Sequence, residues 1–187
     1  MGLSIHYSGV LRDKKLLTLL TEEVSEISET LDWAPRIIDD KELKGISFAP
    51  ERSEPVFLTF DHNNRLLSPT NNFVKEIYDG VRFDKELLFT TSVKTQYAGP
   101  DAHIAVIKLL KYVSAKYLES FTLSDEGNYW ETGDEKILYA QFKKYEDALD
   151  FVQKALQDLT AVPGETASSL AERIEKILKE KFREKEE

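Results

Sequence analysis

Two tripeptides, Tyr7-Ser8-Gly9 and Tyr97-Ala98-Gly99, each stand between an apolar β-type stretch and a run of helical periodicity. That recurring order of strand, glycine and helix constrains the fold more than any other feature of the chain. The first strand is predicted over Leu3–Tyr7, with Ser8-Gly9 closing it. A helix over 13–31 follows, because Leu16, Leu17, Leu20, Val24, Ile27 and Leu31 recur at spacings of three and four. Glu22, Glu23, Glu26 and Glu29 take the opposite face. The second helix opens with Pro100 and Asp101, a proline in the first turn and an acid at the positive end of the dipole. Ile104, Ile107, Leu110, Val113 and Tyr117 line one face of it. Each helix leads into a short apolar strand, Arg36–Ile38 or Phe121–Leu123, that runs into an acidic pair, Asp39-Asp40 or Asp125-Glu126.

Between the two units the pattern is β-rich. Lys44–Phe48 alternates, and Val56–Phe60 is apolar enough for a central strand. Asp61-His62-Asn63-Asn64 carries turn chemistry, so Arg65–Leu67 is expected to return as the hairpin partner. A helical turn is expected at Phe73–Tyr78, and the longest strand at Glu86–Thr95. The sum is an α+β fold: a split-βαβ (ferredoxin-like) mixed or antiparallel sheet with helices on one face, plus C-terminal helices. Internal duplication and the chance recurrence of a common connection both account for the two units. Thr132 and Glu135 have the spacing of a capping box for a helix running to about Thr160. Val162-Pro163-Gly164 stops it, and a last helix over 166–185 carries Leu170, Ile174, Ile177, Leu178 and Phe182. The expected organisation is a single α+β domain over 1–160, with a helical appendage over 161–187 packed on that domain or on a neighbour.

Composition narrows the function classes. The chain has 187 residues and no cysteine, which excludes disulfides, thiolate nucleophiles and zinc–cysteine sites. No apolar run approaches the roughly 18 residues that cross a bilayer, so no membrane role is expected. The opening residues Met1–Tyr7 lack the charged and apolar regions of a secretory signal, and a cytoplasmic location is the expectation. A net charge of −9 repels phosphate, and the basic residues of the C-terminal helix alternate with acids, so nucleic acid is not expected as a partner. The negative charge is uneven: Glu119–Asp150 holds nine acids against three lysines.

That stretch contains the densest polar segment, Ser124–Glu135, with five carboxylates, Tyr129, Trp130 and two glycines between a strand and a helix. Loops at strand ends are where sites tend to be built. His6 and His103 each lie next to one of the Tyr-x-Gly tripeptides, so a catalytic set of His6, His103, Glu126 and Glu131 is the sharpest candidate. Tyr97, Tyr129, Trp130 and Asp125 are candidates for a ligand-binding wall, through aromatic stacking and one carboxylate. The same loop also reads as structural, with Thr132, Asp134 and Glu135 as helix-start residues and both glycines in turns. No phosphate-binding, dinucleotide-binding, nucleophile-elbow or metal-protease motif occurs. No metal and no cofactor is expected.

The segments HYSG at His6–Gly9, QYAGPDAH at Gln96–His103 and DEGNYWETGD at Asp125–Asp134 resemble a family of uncharacterised bacterial proteins with no assigned activity. The resemblance spans about residues 3–150. It implies a bacterial cytoplasmic protein and supplies no mechanism. With no complete catalytic constellation, the leading expectation is a non-enzymatic binding domain whose partner is another protein or a second copy. A metal-dependent or acid/base enzyme and a small-ligand binding module are the alternatives.

Overall fold

Alternating side chains build the first strand, β1 (Ser4–Leu11), with Ile5 and Tyr7 buried on one side and His6, Ser8 and Val10 half-exposed on the other. The computed structural model describes residues 3–77, 88–157, 159–160 and 162–186. The strand is longer than the sequence predicts. Gly9 does not end it but lies within it, because a side chain there would meet the Ser120 carbonyl oxygen at 2.8 Å. The strand's glycine therefore marks a close approach of two backbones rather than a turn.

Helix α1 (Leu16–Thr30) buries Leu20, Val24 and Ser28, one side chain per turn. It ends one residue before Leu31, which is exposed. Asp32 takes a left-handed conformation there, with its N–H donating to the Glu29 carbonyl and the Trp33 N–H donating to Ser28. This is a Schellman ending, and it delivers Trp33 onto Phe48, rings stacked at 5.6 Å.

Strands β2 (Arg36–Asp39), β3 (Lys44–Phe48) and β4 (Val56–Phe60) form one antiparallel sheet in the order β2-β3-β4. Gly45 in the central strand is required sterically, since a Cβ there would lie 2.1 Å from the Leu58 carbonyl oxygen. The segment expected as a hairpin partner, Arg65–Leu67, forms only single bridges: Val10 to Arg65 and Phe60 to Leu66. It runs between two sheets instead of extending one. Leu66 N–H donates to Gly9 and Leu67 N–H to Thr59, at 2.8 and 2.9 Å. Asp61 fixes this connection by accepting the Asn63 and Arg65 N–H groups and two bonds from the Arg65 guanidinium.

Helix α2 spans Pro69–Ile77, starting earlier than the expected turn; Tyr78 lies outside the described residues. Strand β5 is only Thr91–Lys94. Of the longer strand expected at Glu86–Thr95, residues 86 and 87 lie outside the described residues. Leu88 and Thr90 are held by the Asn71 side-chain amide, which donates to both carbonyls, instead of by a ladder. Helix α3 (Pro100–Tyr117) follows, with Gly99 at φ +91° before it, and strand β6 (Leu118–Asp125) is eight residues long. These strands form a second antiparallel sheet in the order β5-β1-β6. Both β5 and β6 run antiparallel to β1, so they run in the same direction and α3 connects them. The two Tyr-x-Gly tripeptides differ in role: the first is inside a strand, and the second is in the turn that opens α3.

Besides the backbone connection at Arg65–Leu67, the Tyr7 side chain joins the sheets. The Tyr7 hydroxyl donates to the Phe57 carbonyl at 2.9 Å and accepts the Phe57 N–H at 3.0 Å. Burial pushes this phenol's pKa well above its ordinary value. On the helical side, Glu23 of α1 receives Lys116, Tyr112 and Tyr117 of α3. The bonds from Lys116 and then the two tyrosines hold the Glu23 carboxyl down to about 2.

A short helix, α4 (Tyr129–Thr132), precedes the longer α5 (Glu135–Leu156), and α6 is Ala167–Glu186. The expected Thr132–Glu135 capping box does not form, because Thr132 belongs to α4. Asp134 caps α5 instead, its carboxylate accepting the Lys136 N–H at 2.8 Å. The chain divides into two compact units, Met1–Phe142 and Lys143–Glu187. In the second, Thr166 and Ser169 cap α6 reciprocally, and Arg173 donates to Glu165 and to the Thr160 carbonyl, both at 2.8 Å. No described residue of the second unit is fully buried.

The joint at Tyr7 can be tested directly. Tyr7→Phe leaves the part-buried N–H and carbonyl of Phe57 without their partner and is expected to cost about 1 kcal/mol, read by denaturant unfolding. A Tyr7→Phe variant as stable as the parent would refute the joint.

Candidate functional site

The end of β6 meets the start of α3 at a buried trio. His103, in the first turn of α3, is fully buried, and its Nε2–H donates to Asp125 Oδ1 at 2.9 Å. Its Nδ1 lies 2.6 Å from the hydroxyl of Thr95, also fully buried. With a neutral ring the Thr95 hydroxyl donates to Nδ1. With a protonated ring Nδ1–H donates to Thr95, whose own proton then faces the Leu3 carbonyl at 3.5 Å. The trio is satisfied in either state.

Asp125 does more than hold a histidine. Its Oδ1 also accepts the Gly127 N–H at 2.7 Å, and its Oδ2 accepts the N–H groups of Tyr129 and Trp130 at 2.7 and 3.0 Å. Tyr129 and Trp130 open α4, so this carboxylate satisfies N–H groups that a helix start leaves without internal partners. Burial acts to raise the Asp125 carboxyl, but the hydrogen bond and charge of His103 and the loop N–H groups outweigh it, leaving the group below the ordinary carboxylate range. Gly127 is needed for closeness: a Cβ would come 2.4 Å from Leu138 Cδ1 and 3.1 Å from both Asp125 Oδ1 and His103 Nε2.

His6 reaches the same end of the sheet from the opposite face. Its Nδ1 is 2.7 Å from the Ser92 hydroxyl, and its Nε2 is 3.8 Å from Glu126 Oε1, with both side chains open to solvent. Glu126 in turn accepts the Ser4 N–H at 2.8 Å through Oε2. Of the expected catalytic set, His6 and Glu126 are thus neighbours, while the β1–β6 layer separates His103 from them. Glu131 is exposed on α4 and contacts neither histidine. Of the expected binding wall, Tyr129 is buried and Asp125 is committed within the fold. Trp130 packs edge-on to Phe121 at 5.8 Å, with Lys111 5.0 Å over its ring. Tyr97 stands exposed in the turn before α3. Sequence spacing gave no sign of Thr95, the third member of the trio. Its one cue is a β-branched polar residue at the end of a strand, eight positions before His103.

The open face of this sheet is a field of hydroxyls. Pairing sets His6 beside Ser92 and Ser124, Ser8 beside Thr122, and Val10 beside Ser120. The Ser8 and Thr122 hydroxyls bond at 2.7 Å. A cleft of about 540 Å³ opens on this side, lined by Ser8, Val10, Arg65, Phe89, Phe121 and Thr122 among others. Arg65 lies 3.9 Å over the Phe89 ring. Among the described residues no cluster of three or more acidic or histidine side chains is placed to hold a metal ion, and no helix is long and apolar enough to cross a membrane. Comparison with family models, curated proteins and solved structures finds no match to this chain.

Asp125→Asn is expected to cost about 3 kcal/mol, because it breaks the buried pair and turns an N–H donor toward other donors. The native carboxyl is held below its unfolded value. Its contribution is therefore full above the ordinary carboxylate range and is lost as pH falls through the depressed value. Denaturant unfolding from neutral pH down to about pH 3 should show a shallower acid loss in Asp125→Asn than in the parent. Equal slopes would contradict the assigned role.

Proposed function

We propose that this chain is a protein-binding domain rather than an enzyme, and that the β6 side of the β5-β1-β6 sheet is its recognition surface. The observation that carries this reading is the commitment of His103 and Asp125. The pair with the chemistry of an acid/base centre is sealed from solvent, and each of its polar atoms is used within the fold. A general base must reach its target, and this one faces only protein. What the sheet offers outward is a row of hydroxyls, a cleft and a cluster of acids, which suit recognition.

The enzyme alternative retains one supporting feature, the solvent-open pair of His6 and Glu126 at 3.8 Å. The cleft at Phe89 and Phe121 supports the small-ligand alternative. We also read β5–α3–β6, with β1 between its two strands, as a split-βαβ unit, the local half of a ferredoxin-like arrangement.

A photo-crosslinking residue at Ser120, on the open face, is expected to trap a protein partner in cells that make this chain. The same residue at Leu19, exposed on α1, is expected to trap none. Absence of an adduct at Ser120, or equal adducts at both positions, would sink the reading.

A further inference from the structure

Sheet edges present unpaired N–H and carbonyl groups, and folded proteins close or blunt them. Three of the four edges here are treated in that way. On β5, Lys94 donates its N–H to the Glu54 carboxylate at 2.9 Å and its carbonyl accepts the Glu54 N–H at 3.1 Å. On β4, the Tyr7 hydroxyl takes both backbone groups of Phe57, and Leu67 bonds Thr59. The β2 edge is only four residues long, with exposed charges at Arg36 and Asp39.

The fourth edge, β6, has none of these devices along most of its length. Glu126 N–H donates to Ser4, which fixes the parity of the ladder: Ser120, Thr122 and Ser124 turn their backbone groups toward β1. The N–H and carbonyl groups of Phe121 and Leu123 therefore point away from β1, and no described residue bonds them. Only the first residue is covered, where Arg12 donates to the Leu118 carbonyl at 3.1 Å. The strand has no lysine and no proline, and its one charge before Asp125 is Glu119.

Charge selects the occupant. Residues 118–135 carry six acids and no lysine or arginine. A second copy pairing through β6 would bring the same six acids onto this edge, in a chain already at −9. Phe121, packed against Trp130, and Leu123, both half-buried, favour apolar side chains on one face of an added strand. We propose that β6 accepts an extended segment of another protein, one that alternates apolar and basic residues, as an added antiparallel strand. This rests on the binding-domain reading above and names its partner's chemistry.

The test is a titration of the isotope-labelled full chain with a short peptide alternating valine and lysine, followed by backbone NMR. The expected result is that the Phe121 and Leu123 amide signals move and their hydrogen exchange slows. Roughly tenfold or greater weakening is expected for an alternating valine–glutamate peptide and for the lysine peptide N-methylated along one edge. Leu123→Pro removes an N–H that the fold does not use, so it should fold and lose binding to the same degree. If that variant fails to fold, the N-methylated peptide decides alone. No binding, shifts centred elsewhere, equal binding of the modified peptides, or self-association of the unliganded chain through these amides would each overturn strand addition. A partner trapped at Ser120 that still binds Leu123→Pro would leave the binding-domain reading standing and remove only this mode.

Discussion

A buried phenol bonds the two sheets of the larger unit to each other. Tyr7 belongs to β1, the central strand of one sheet, and its hydroxyl occupies both backbone groups of Phe57 on the outer strand of the other. An unpaired buried peptide group is expensive, so two sheets meeting at this point need a group that both donates and accepts. A hydroxyl at the end of a rigid ring does this without moving either backbone. The segment from Asn64 to Leu67 bonds both sheets through its own backbone as well.

Asp125 organises the other end of the same strand pair. One carboxylate receives a histidine from α3, the N–H after the strand turn and the first two N–H groups of α4. Its environment supplies donors enough to outweigh burial. The acidic, aromatic loop is thus folded around its most buried acid, and its remaining acids are displayed to solvent. The inward role and the outward display come from one segment. That division is why the sealed pair argues against chemistry while the surrounding charge argues for a partner.

Much of the fold was legible because local rules and tertiary packing agreed. Lys44–Phe48 alternates and Val56–Phe60 is apolar throughout, and both are strands over those same residues, although Val56–Phe60 lies at the sheet edge instead of the expected centre. The helices after Gly9 and Gly99 were visible from their apolar spacing. The errors fall where a residue type has two physical uses. Gly9 reads as a terminator in the sequence, whereas its lack of a side chain admits the Ser120 backbone within a continuous strand. Thr132 and Glu135 had capping spacing, but Gly133, left-handed at φ +64°, ends a separate short helix between them and passes the cap to Asp134. For the site, composition locates the loop, and the two Tyr-x-Gly tripeptides pick out His6 and His103. It did not show that they face opposite sides, because that depends on strand parity. Nor did it show Thr95, whose bond to His103 exists only once the turn at 95–98 has formed.

The pairing of Ile5 with Asp125 has a consequence for how β1 and β6 find each other. A slip of one residue would reverse the faces of the whole strand. It would set Ser124 against the buried ring of His103 and strand a carboxylate among the outward hydroxyls. The same slip would turn Phe121 and Leu123 out among the hydroxyls, so the apolar alternation of β6 opposes it as well. The terminal carboxylate adds a polar check to that apolar one, and together they set the alignment of an eight-residue strand.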